Sequence, residues 1–158
     1  MEKKSVQVME AQNKGKGLMA PQDLTTNLTA LVVDDNKLTR MLHQRLLNKA
    51  GVKNHAVENG KEAVDIHCSA QSFDMILMDK DMPIMNGIEA TKKLRSMGIG
   101  SMIVGVSSSS KEEEIREFME AGLNDYKVKP FTFTMLSSII DKINSSKSNN
   151  SSNGCKNN

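Results

Sequence analysis

Short apolar runs alternate along this chain with longer stretches whose apolar residues recur at helical spacing, and no hairpin turn joins any two of the runs. Ala30-Leu31-Val32-Val33 is the first run; a weaker one follows through His55-Ala56-Val57, then Phe73 to Met78, Met102 to Val106 and Tyr126-Lys127-Val128. Between them Leu38, Met41, Leu42 and Leu46 mark a helix that Gly51 should end, and Asn59-Gly60 opens one carrying Ala63, Val64 and His67. A third helix spans Gly87 to Ser96. Ser110-Lys111-Glu112-Glu113 has the form of a capping box ahead of a fourth, with Ile115, Phe118 and Met119 before Gly122. Thr132 to Ile143 is the last, with Leu136, Ile139, Ile140 and Ile143 on one face. Strand–helix units in this order predict a doubly wound α/β fold, a five-stranded parallel sheet covered on both faces.

The ends of the chain do not share this pattern. Residues 1–28 are polar and broken by Gly15, Gly17 and Pro21, and 144–158 hold eleven Asn or Ser in fifteen residues. Both read as disordered tails around a single domain at 29–143. Gly15-Lys16-Gly17 is no phosphate loop, since no strand precedes it and no Ser or Thr follows the lysine. Of the net charge of +2, the tails carry +3 and the domain −1. A domain that grips nucleic-acid phosphates needs a basic face. Aromatic residues are 3% with no Trp, which leaves no stacking platform. The expectation is no direct DNA binding.

No apolar run approaches the ~20 residues of a membrane span, so no membrane association is expected. No leader-like segment follows Met1. Cys68 lies in a helical pattern and Cys155 in a polar tail; two such scattered cysteines fit a reducing compartment. Cys155 stands fourth from the end, but Lys-Asn-Asn after it lacks the aliphatic pair of a prenylation signal. The expected protein is a cytoplasmic monomer of a size that leaves entry to the nucleus open.

In an open parallel sheet the chemistry sits beyond the carboxyl ends of the strands. Those ends carry Asp34 and Asp35 after the first strand, Asp79 after the third, Ser107 after the fourth and Lys129 after the fifth. In a flavodoxin-like order, 2-1-3-4-5, the first and third strands are neighbours, so the three carboxylates converge with a hydroxyl and an ammonium beside them. Crowded carboxylates raise one another's pKa unless positive charge arrives. Mg²⁺, which takes carboxylate, water and phosphate oxygens, is the natural partner. Lys129 can balance further oxygen charge and Ser107 can hydrogen-bond a phosphoryl oxygen. This is equipment for phosphoryl transfer to a carboxylate nucleophile.

Val32-Val33-Asp34-Asp35-Asn36, Met78-Asp79-Lys80-Asp81-Met82-Pro83 with Gly87, Val106-Ser107 and Lys129-Pro130-Phe131 together resemble the receiver domain of two-component response regulators. Leu77 to Pro83 and Ser101 to Ser107 look especially like the plant type-C regulators, which consist of a receiver alone. The resemblance covers nearly all of 29–143. It implies that Asp79 is the phosphoacceptor, and that Asp34, Asp35 and Asp79 hold Mg²⁺ with the backbone carbonyl of Asp81. It makes Ser107 the switch hydroxyl, Lys129 the phosphate contact and Tyr126 an aromatic switch, and it implies a cis Lys129–Pro130 bond. The donor would be a histidine-phosphotransfer protein fed by a sensor histidine kinase, as in plant cytokinin signalling; a phosphate sink and a conventional single-receiver regulator share every residue named here, and only the lifetime of the acyl phosphate separates them. Asn86 and Ser107 depart from the commoner Asp and Thr, and Asp81 adds a fourth carboxylate.

Plainer readings compete residue by residue. Asp34 and Asp35 could cap a helix, Asp79 could be a turn residue, Lys129 a solvated lysine and Tyr126 plain packing. His43, His55 and His67 have no metal-ligand spacing and read as surface or satisfied core; Cys68 reads as helix packing. Two other functions share some of these residues: a phosphate-independent binding module on the same fold, and a haloacid-dehalogenase-type aspartyl phosphatase using Asp79-Lys80-Asp81. The complete acidic set with Lys129 weighs against the first. The mid-chain position of the motif weighs against the second.

Overall fold

The computed structural model describes residues 27–157, with side chains to Lys147. The elements are β1 (Thr29–Val33), α1 (Lys37–Lys49), β2 (Lys53–Val57), α2 (Gly60–Cys68) and β3 (Met75–Asp79). After them come α3 (Gly87–Ser96), β4 (Met102–Ser107), α4 (Glu112–Glu120), β5 (Asp125–Val128) and α5 (Phe133–Asn157). All pairings are parallel and the order is β2-β1-β3-β4-β5, so the doubly wound, flavodoxin-like expectation holds.

Alternation along the strands decides the two cores, because successive side chains in a strand point to opposite faces. Ala30, Val32, Met75, Leu77, Val104 and Val106 face one way and meet Leu47 of α1 and Leu136, Ile139, Ile140 and Ile143 of α5. Leu31, Val33, Ile76, Met78 and Ile103 face the other way and meet Ala63 and Val64 of α2, Ala90 and Leu94 of α3 and Phe118 of α4. Central strands buried on both faces have to read as unbroken apolar runs. β2, on the edge, shows an alternating burial pattern instead, which is why its run is faint in the sequence.

Two expectations change, and the inward side of the first helix becomes defined. Of the residues whose spacing marks that helix, Leu38, Met41 and Leu42 are exposed and Leu46 packs against the core, while the helix buries His43 and Leu47. Ser110 does not cap α4. That helix starts one residue later, its N-cap Lys111 makes no side-chain cap bond, and the Ser109 hydroxyl accepts from the Lys111 amide at 3.2 Å. Cys68 ends α2 and is exposed rather than packed.

The limits of the domain also move. Leu28, expected in the N-terminal tail, is buried in the core, and its carbonyl accepts from the Lys53 amide at 3.1 Å. The rest of that tail, 1–26, lies outside the described residues. At the other end α5 runs to Asn157, through the segment expected to be a disordered tail. A helix already nucleated by packing gains one hydrogen bond per added residue, and no Pro interrupts this one after its start. Lys147 also ties the added turns back to the sheet through an ion pair with Asp74 at 3.1 Å.

Candidate functional site

The ends of β1 and β3 lie side by side, with Val33 in register with Met78, and each strand delivers its acid as the chain leaves the sheet. Asp34 is 2% exposed. It does not cap α1; Asn36 does, its Oδ1 accepting from the Thr39 amide at 2.9 Å. Asp34 instead accepts from the Asn36 amide at 2.9 Å through Oδ1, and its carbonyl accepts from Arg40 at 2.8 Å. The carboxylate is thereby fixed before any ligand arrives. Asp35 is exposed beside it.

Asp79 is buried as the last residue of β3. Carboxylate oxygens of Asp34, Asp35 and Asp79 all lie within 4.8 Å of one another. From the end of β5, Lys129 donates to Asp34 Oδ2 at 3.0 Å and to Asp79 Oδ1 at 3.1 Å. One ammonium thus bridges two buried acids, and the capping and solvated-lysine readings fall away. Burial, and then the Asp34 charge, push the Asp79 carboxyl up to about 6 against the pull of Lys129. One lysine does not neutralise three carboxylates. An oxygen-only, charge-deficient cluster of this kind fits a hard divalent cation.

Ser107 ends β4 almost fully buried, and its carbonyl accepts from the Lys129 amide at 2.8 Å, which fixes the base of the lysine. Asp79, Asp81, Ser107 and Lys129 line one cavity of about 450 Å³, so four of the expected site residues share a wall. The Lys129–Pro130 bond is cis. Tyr126 stands apart: its hydroxyl donates to the Ser109 carbonyl, and its ring meets Phe118 edge-on at 6.1 Å. It touches the loop after Ser107, not the acids.

Several contacts around the site go beyond the roles that the sequence gives these residues. Asn86 and Glu89 form a full capping box at the start of α3, a pattern visible as Asn-x-x-Glu. Gly87 sits so close to β3 that a Cβ there would overlap the Asp79 carbonyl oxygen. Lys80 reaches Glu114 of α4 at 3.2 Å, a pairing across the fold with no local signal. His43, under the site, meets Phe131 edge-on at 5.4 Å. Burial pulls its pKa down to about 4, so it is a neutral packing group.

Comparison with known proteins agrees with the geometry. The response regulator receiver domain family matches residues 30–141. The chain is 57% identical over 124 residues to two-component response regulator 24 of Arabidopsis thaliana, covering 78% of this chain and 89% of that one. Among solved structures, it is similar to the receiver domain of sensor histidine kinase PA1611 from Pseudomonas aeruginosa, which has a magnesium ion coordinated in its active site cleft. That likeness has a TM-score of 0.65 at 27% identity and covers 73% of this chain and 95% of that one. The receiver domain of Ssk1, co-crystallised with the Saccharomyces cerevisiae histidine phosphotransfer signaling protein Ypd1, gives a TM-score of 0.66 at 28% identity, over 72% of this chain and 86% of that one.

Proposed function

The chain belongs to the response regulator receiver domain family, and from that premise we propose that it accepts a phosphoryl group on Asp79 from the phosphohistidine of a histidine-phosphotransfer protein. The observation that carries this reading is the Lys129 ammonium bridging Asp34 and Asp79 on the wall of the same cavity as Ser107. Asp34, Asp35 and Asp79 would hold Mg²⁺ with the Asp81 carbonyl, and the ion would offset charge on the phosphoryl oxygens.

The remaining chemistry belongs to the chain. A carboxylate oxygen of Asp79 bonds to phosphorus as the phosphorus–nitrogen bond to the donor imidazole breaks, leaving its electron pair on the imidazole. Lys129 is already hydrogen-bonded to Asp79 and is placed to follow the new charge onto the phosphoryl oxygens. Ser107, held at the end of β4, supplies a hydroxyl to the same group. The half-buried Tyr126 is linked to the Ser109 carbonyl, so a shift of Ser107 toward the phosphoryl group would be felt at the β4–α4 loop.

The donor docks on the exposed apolar residues beside the site. Leu38, Met41 and Leu42 of α1 and Ile84 of the β3–α3 loop are exposed, and Leu42 shares a groove with Lys129, Pro130 and Phe131. Apolar residues collected at the rim of a charged site suit a protein partner. The finer reading places the chain in a plant cytokinin-type relay fed by a sensor histidine kinase, in the cytoplasm with access to the nucleus, where it drains phosphoryl groups as a sink. Its support is the similarity to the Arabidopsis regulator.

The test is transfer from a radiolabelled histidine-phosphotransfer protein in Mg²⁺ to the wild-type chain and to Asp79→Asn. Label moves off the donor only with wild type, as acyl phosphate or free phosphate. Equal labelling of the two proteins would move the acceptor elsewhere.

A further inference from the structure

The cavity that holds Asp79 has a wall that the phosphoryl chemistry does not use. Lys80, the residue after Asp79, crosses to α4 and donates to Glu114 Oε1 at 3.2 Å; its side chain is only 15% exposed. Glu114 lines the cavity together with Asp79, Asp81 and Ser107. The Ser109 hydroxyl first, and the Lys80 ammonium second, hold Glu114 below the ordinary carboxylate range. Lys111 lies near its other oxygen at 3.9 Å. These charges come from three places: the loop after β3, the loop after β4 and the first turns of α4. They meet on the side of the cavity away from the α1 face.

We propose that Lys80 and Glu114 form a clasp across the Asp79 cavity that slows hydrolysis of the acyl phosphate. The clasp rests on the reading of Asp79 as phosphoacceptor. In the reaction it opposes, a water oxygen bonds to phosphorus while the bond from phosphorus to the Asp79 oxygen breaks. The electron pair returns to the carboxylate, inorganic phosphate leaves, and the proton goes to solvent.

A water must enter the cavity and lose a proton for this to run. The clasp opposes both. It ties the β3–α3 loop to α4, which narrows the approach. It also occupies Glu114 with hydrogen-bond donors, so the one glutamate on this wall is held as an ion-pair partner rather than left to take a proton. Lys80 meets Asp79 only through its backbone amide, and its side chain is hydrogen-bonded to Glu114 rather than to Asp34, Asp79 or Lys129, so loading of Asp79 does not depend on the clasp. Lys80 and Glu114 act as positioning residues for a reaction that happens beside them. In a protein that drains a relay, the clasp is the brake on the drain.

The test separates loading from loss. The full chain and its Glu114→Gln, Lys80→Met and double variants are loaded in Mg²⁺ with radiolabelled acetyl phosphate, a donor that needs no docking. Excess donor is removed and the label on protein is followed with time. Each single variant is expected to load as wild type does and to lose label roughly two- to fivefold faster, the fold-change that ~0.4–1 kcal/mol of barrier corresponds to. The double variant is expected to lose it no faster than the faster single, because both changes open one clasp. Unchanged loss in both singles overturns the clasp, as do multiplying effects in the double variant or slower loss from Glu114→Gln. A wild-type chain that neither takes label nor releases more free phosphate from the donor than Asp79→Asn does overturns the phosphoacceptor reading itself, and the clasp with it.

Discussion

Asp79 is an acid placed where charge is poorly solvated, and that placement carries a stability cost that depends on pH. Its carboxyl is raised from 3.8 to about 6 by burial and by Asp34, with Lys129 pulling the other way. A folded-state pKa above the unfolded one means the native protein binds its proton more tightly. The stability this contributes is complete below pH 3.8 and is lost as the pH rises through about 6. A rise of that size is worth about 3 kcal/mol at most. Asp79→Asn removes the buried charge and leaves Lys129 its bond to Asp34. In metal-free buffer at about pH 7.5 the variant is expected to be more stable than wild type by about 1–3 kcal/mol, and at about pH 4 the gain should nearly vanish. Urea unfolding at the two pH values checks this; an equal gain at both would mean that the Asp79 charge is not the source. The site acids themselves are legible in the sequence because each follows an apolar run directly. The Lys80–Glu114 pair is not, since no spacing relates residues that only the fold brings together.

Elements hold these residues in place through contacts that leave little slack. Gly87 begins α3, and a methyl group there would overlap the Asp79 carbonyl oxygen and stand 3.0 Å from Lys80 Cα. Both are backbone, so no side chain can swing aside. Gly87→Ala must push the start of α3 away from β3, and with it the loop that carries Lys80 and Asp81. The expected result is a loss of about 1–3 kcal/mol, the usual range for overpacking, together with slower phosphotransfer. Gly100→Ala is the control, because nothing lies within 4 Å of a Cβ there. Urea midpoints and labelling rates read both, and a Gly87→Ala protein with wild-type values would show that the close approach is not needed. Element order and topology are legible because strands buried on both faces must be apolar throughout. The inward face of α1 is not, since helical spacing shows that Leu38, Met41 and Leu42 share a side without showing which side meets the sheet. His43 and Leu47 meet it instead. The start of α4 escapes the sequence for a related reason: Ser110 and Glu113 have the right spacing for a cap, but Ser109 hydrogen-bonds at the turn and Glu114 is drawn to Lys80.

At the scale of the whole molecule, the acidic cluster and the exposed apolar residues share one end of the sheet. Leu38 is 76% exposed and Leu42 46%, and Leu42 borders a groove with Lys129 and Pro130. A lone exposed leucine needs no explanation, but several beside a charged cavity mark a surface that a partner covers. If a phosphotransfer protein docks there, its histidine is brought over Asp79 by contacts that a small donor never makes. Leu42→Asp should then weaken transfer from the phosphorylated protein by about tenfold or more, as the loss of one interface anchor does. Labelling by acetyl phosphate should stay within about twofold of wild type, since the charged cavity and its Lys129 bridge are untouched and an exposed substitution changes stability little. Running both donors on the same preparation makes the comparison internal. A parallel fall with both donors would place the damage in the site, and no fall with either would move the docking surface away from α1. Only a fall confined to the protein donor fits a molecule whose chemistry lies at the strand ends and whose choice of partner lies on the helix beside them.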